Sequence, residues 1–127
     1  MSQPELPPYL QEQLARYEQI QQNLQAVMVQ KQQVDMEREE TKKALEELAK
    51  ASDSENVYKF AGSLLIKVSK EAMIKELSEK KELAETRSLV LSKQETRFKD
   101  SLKELQTKID DAVKGKNPPA AEAEDES

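Results

Sequence analysis

ENVYKFAGSLLIKVSKE, residues 55–71, decides the fold, because it is the one stretch of this chain that reads as β-structure. Val57 to Phe60 and Leu64 to Val68 are β-prone runs, and between them AGS supplies Gly62, which can take a turn conformation that other residues resist. A lone two-stranded hairpin is marginal in water. This one would expose Tyr58, Phe60, Leu64, Leu65, Ile66 and Val68 in some combination, and its open edges and apolar face both invite association. Either hairpins from several chains join into a sheet or barrel, or the hairpin packs on the base of its own flanking segments.

Those flanking segments are long, charged and helical. After Pro7 and Pro8, which fit a helix start, no Gly or Pro occurs before the KASDSEN break at residues 50–56. A seam runs through Tyr17, Ile20, Leu24, Val27, Lys31, Val34, Arg38, Thr41, Leu45 and Leu48, and its alternation of three and four predicts a left-handed coiled coil. A helix over about 8–50 would be roughly 60 Å long. Ser69 is the expected N-cap of a second helix, over about 70–114, with Glu71 near its positive end. The second seam is Ile74, Leu77, Lys81, Ala84, Ser88, Leu91, Glu95, Phe98, Leu102, Leu105, Ile109 and Ala112. Gly115, Pro118 and Pro119 end the pattern, and the acidic tail over 115–127 has no face to bury and reads as disordered.

Folding one seam on the other places Leu48 opposite Ile74, Leu45 opposite Leu77, Leu24 opposite Phe98 and Tyr17 opposite Leu105. The expected fold is therefore mainly α: a long antiparallel two-helix coiled coil joined by one β-hairpin, in a single domain over 1–114. Polar residues interrupt the middle of the seam, where they either let the helices splay or set their register.

Composition excludes several functions. Of 127 residues, 35% are charged and only two are Phe, which leaves too little aromatic and apolar material for an ordinary rounded core. Without Cys or His, disulfides, common zinc ligand sets and the usual nucleophile and base pairs are missing, and no glycine-rich phosphate loop occurs, so neither enzyme nor cofactor is expected. A net charge of −5 argues against nucleic acid as partner, and no apolar run is long enough for a membrane span. A cytoplasmic protein is the resulting expectation.

The order of long helix, single VYKFAGSLLIKVSKE hairpin and long helix, preceded by QKQQVDMEREETKKALEEL, resembles the beta-type subunits of archaeal prefoldin over roughly residues 8–114. Tyr58, Lys59, Gly62 and Ile66 carry the resemblance most specifically, and the connector has room for one hairpin where an alpha-type subunit would have two. The resemblance implies a hexamer of two alpha-type and four beta-type subunits, in which the hairpins form a double β-barrel platform bearing six coiled-coil arms. It also implies an ATP-independent holdase that captures unfolded proteins at the arm tips and delivers them to a group II chaperonin. On this sequence the tips correspond to Leu6, Tyr9, Leu10, Leu14 and Tyr17 with Leu102, Leu105, Ile109 and Val113. Tyr9, Leu10, Leu14, Ile109 and Val113 are the candidate client contacts, unless several of them only close the end of the coiled coil. Tyr58, Phe60, Leu64, Ile66 and Val68 are the candidate oligomerisation residues, and Gly62 is a turn requirement. The alternative is a structural or adaptor coiled-coil protein that oligomerises through the same hairpin and binds one defined partner.

Overall fold

A computed structural model describes residues 6–115, and the acidic tail beyond Gly115 lies outside the described residues. Two long helices flank a hairpin in the chain, in the order α1 (Pro8–Lys50), β1 (Val57–Ala61), β2 (Leu64–Val68) and α2 (Lys70–Val113). The Gln11 amide donates to the Pro7 carbonyl at 3.0 Å, so the prolines stand where a missing N–H removes no helical bond. At the start of α2 the Ala72 amide donates to Ser69 Oγ at 3.0 Å, which makes Ser69 the N-cap. The other end of α2 closes on Gly115, whose φ of 84° is the left-handed conformation favoured after a helix.

The described residues form two compact units, one from residues 6–28 with 93–115 and the other from residues 29–92. In the second, the hairpin unit, contacts between the helices follow a regular order. Lys70 Nζ donates to the Ala51 carbonyl at 2.7 Å, and Ser88 Oγ donates to Asp35 Oδ1 at 2.8 Å. As the first partner moves back from residue 51, just past the end of α1, to residue 35 within it, the partner on α2 moves forward from 70 to 88, so these segments run antiparallel. The second contact lies one residue from the expected layer of Val34 and Ser88. Val34, Thr41, Ala84, Ser88 and Leu91 are buried along this seam, with Leu45, Leu48, Ile74 and Leu77 half-buried.

Polar residues in this seam are accommodated individually. Thr41 Oγ1 donates to the Glu37 carbonyl of its own helix at 2.7 Å, which satisfies a buried hydroxyl locally. Asp35 accepts from Ser88 and also lies 3.7 Å from Arg38. Val34, only 2% exposed, is the fully buried apolar side chain beside them.

In the first, terminal unit, Leu10, Gln13, Val27, Leu105 and Ile109 are buried, and Tyr17, Ile20, Leu24, Phe98, Leu102 and Ala112 are half-buried. Every seam position read from the sequence is thus removed at least partly from solvent. The structure adds Leu10 and Gln13, which extend the same spacing toward the start of α1. The Oε1 atom of Gln13 is buried and has no hydrogen-bond partner among the described residues.

Candidate functional site: the hairpin and the helix ends

Gly62 and Ser63 form the two-residue turn of the hairpin, since Ala61 pairs with Leu64. Gly62 has φ 65° and no other described residue in the turn has a positive φ, which fits a type II′ turn with Gly in its first central position. Directly paired residues share a face of a two-stranded ribbon, and successive residues alternate between faces. Val57 and Val68, Lys59 and Ile66, and Ala61 and Leu64 therefore occupy one face, while Tyr58 and Lys67, and Phe60 and Leu65, occupy the other.

The two faces have different surroundings. Val57, Lys59 and Val68 are half-buried, and Lys59 Nζ lies 2.8 Å from Glu76 Oε1, so the first face is tied to the opening turns of α2. Toward the turn this face still exposes Leu64 and Ile66. The second face is open throughout: Tyr58 and Leu65 are exposed, and Phe60 is 79% exposed. The five candidate oligomerisation residues are consequently divided, with Tyr58 and Phe60 on one face and Leu64, Ile66 and Val68 on the other. Leu65 belongs with Tyr58 and Phe60. Period-two alternation counted from the turn identifies it, because its cross-strand partner is Phe60.

The candidate client contacts are divided as well. Leu10 is 8% and Ile109 is 9% exposed, so both help to close the helix pair. Tyr9 is half-buried, whereas Leu14 is exposed and Val113 is 68% exposed, with Leu6 also open to solvent. The heptad explains the split: Leu10 and Ile109 occupy seam positions, while Leu14 and Val113 each follow a seam residue by four and flank the seam. Among the described residues no group of three or more acidic side chains is arranged to hold a metal, and no helix is long and apolar enough to cross a membrane.

A family model described as prefoldin subunit matches residues 11–116. The chain belongs to the prefoldin subunit family. It is similar to the prefoldin subunit beta of Archaeoglobus fulgidus, at 46% identity over 83% of this chain and 90% of that protein. Its similarity to the prefoldin subunit beta of Pyrococcus furiosus is 42% identity over 91% of this chain and 97% of that protein. The crystal structure of the prefoldin beta subunit from Thermococcus strain KS-1 matches with a TM-score of 0.78 and 40% identity, over 92% of this chain and all of that one, 100%. The beta-class reading made from the single hairpin and its two long helices therefore holds.

Proposed function

We propose that this chain is the beta-type subunit of a cytoplasmic, ATP-independent chaperone, built as a hexamer from two alpha-type and four beta-type subunits. It holds non-native proteins and passes them to a group II chaperonin, and no chemical step is involved. The observation that carries the assembly half of this reading is the hairpin, whose two faces both present apolar side chains while its edges lack strand partners within the described residues. Burial in a shared β-platform would satisfy both. Family membership supports the chaperone half, as do the exposed apolar side chains Leu6, Leu14 and Val113 of the terminal unit.

The physical logic is multivalent. An unfolded chain exposes many separated apolar groups, and several subunits that each bind one weakly gain avidity through effective concentration. Weak individual contacts also permit release. In this reading Leu14, Val113 and the half-buried Tyr9 meet the client directly. Leu10 and Ile109 hold the two helices together beneath them, and meet it only where the helix ends part.

The test is truncation of the terminal unit in the reconstituted complex. Particles retaining residues 18–101 of this chain should keep their subunit stoichiometry and lose suppression of aggregation for several unrelated denatured proteins. Full suppression by the truncated particle would place client binding elsewhere. Affinity for one folded protein, without activity on denatured ones, would support the adaptor alternative.

A further inference from the structure

The terminal unit carries an open groove of about 470 Å³, lined by Glu18, Gln21, Gln22, Leu24, Gln25 and Leu102. Half-buried Leu24 and Leu102, from the two helices, give it an apolar floor. Gln21, Gln22 and Gln25 form its wall, and among the described residues their amides make no hydrogen bond to other protein groups. Residues 19–28 contain no charged side chain, in a chain of which 35% is charged.

The groove also continues an exposed flank of α1. Leu14, Glu18, Gln21, Gln25 and Met28 succeed one another at spacings of four and three, which aligns them along one side of the helix, and all five are exposed. Exposed apolar side chains thus stand at both ends of an almost uncharged track. Fourteen residues of helix rise about 21 Å. That is the length of roughly six residues of extended chain.

We propose that this track, which truncation to residues 18–101 breaks by removing Leu14 and Leu102, binds an extended segment of non-native polypeptide, a deepening that rests on the holdase reading above. Each glutamine amide both donates and accepts, so it can pair with the unsatisfied N–H and C=O groups that an unfolded backbone presents at every residue. Such pairing ignores side-chain identity. The leucine floor takes an apolar side chain, and the thioether of Met28 adapts to varied shapes. Covering glutamines avoids the desolvation penalty that covering lysines or glutamates would incur. Glu18 is the one charged lining residue, and it favours neutral or basic segments over acidic ones.

The probe is reduced, carbamidomethylated lysozyme, a basic polypeptide that cannot refold, offered to the reconstituted complex. The chain has no cysteine, so Gln21→Cys and, as a control on the outer side of α2, Asp100→Cys can each be labelled with a benzophenone maleimide before assembly. Photolysis should crosslink the probe from position 21 several-fold more than from position 100. In 0.3 M salt, which shortens the Debye length and suppresses long-range attraction, Gln25→Glu and Gln25→Lys should each weaken probe binding by at least about threefold, because either charge must be desolvated in the groove. Circular dichroism and native mass would verify that the variants fold and assemble. Equal crosslinking at the two positions while the wild-type complex still binds the probe would overturn the groove and leave the holdase reading standing. Opposite effects of the two charges would likewise overturn it, as would crosslinks from position 21 to another subunit in place of the probe. Failure of the wild-type complex to bind the probe or to suppress aggregation would overturn both.

Discussion

Gly62, Ser69 and Gln13 each concentrate a local rule in one residue. At Gly62 a Cβ would meet nothing within 4 Å, so only the positive φ opposes substitution. Gly62→Ala should therefore destabilise the hairpin by about 1 kcal/mol, measured by chemical denaturation of the assembled protein. Ser69→Ala removes the acceptor of the Ala72 amide and should cost about 1 kcal/mol in the same assay. Gln13 works in the opposite direction, because it buries a carbonyl oxygen without a hydrogen-bond partner among the described residues in the seam between Leu10 and Tyr17. Replacing it with methionine, of similar length, should raise the melting temperature, corresponding to a gain of about 1 kcal/mol. An unchanged or lowered melting temperature would contradict a net cost of burying that amide. The turn glycine and the cap were legible in the sequence, since each follows from the local needs of the backbone. Gln13 was not, because Leu10, Leu14 and Tyr17 are themselves spaced by four and three, an apolar register that passes it by.

Among the elements, the helices and the ribbon differ in how much their sequences disclose. The alternation of three and four identifies which side of each helix is covered, and it does so even at Lys31, Arg38, Thr41, Lys81, Ser88 and Glu95, all of which are at least half-buried. Periodicity marks a position on a helix face, whatever side chain occupies it. Within the hairpin unit this seam should respond most strongly at Val34, where Val34→Ala removes two buried methyl groups and should cost roughly 2 kcal/mol. Ser88→Ala should cost less, about 1 kcal/mol or under, since Asp35 is partly exposed and regains water when the Ser88 hydroxyl is lost. The candidate contacts at the helix ends were harder to separate, because Leu10 and Leu14 are the same residue type four positions apart. Only the paired helix distinguishes the buried one from the exposed one. In the ribbon the decisive information was cross-strand pairing, which assigns Leu65 to Phe60 and divides the apolar residues between two faces.

At the level of the whole molecule, the exposed ribbon is the feature that one chain leaves unsatisfied. If a shared platform covers both faces, Ile66→Asp on one and Phe60→Asp on the other should each dissociate the assembly, because either places a carboxylate without a partner in a buried position. Dissociation by only one of the two would identify the face that subunits share and leave the other to solvent. The order of elements and the single hairpin were readable from the sequence, since each depends on local patterning. Assembly is a property of several copies and its composition is not written in the periodicity of one chain. The direct measurement is native mass spectrometry of the complex isolated gently with this chain. The account predicts a hexamer with four copies of this chain and two of an alpha-type partner; a monomer, a simple coiled-coil dimer or a complex with one unrelated folded protein would contradict it.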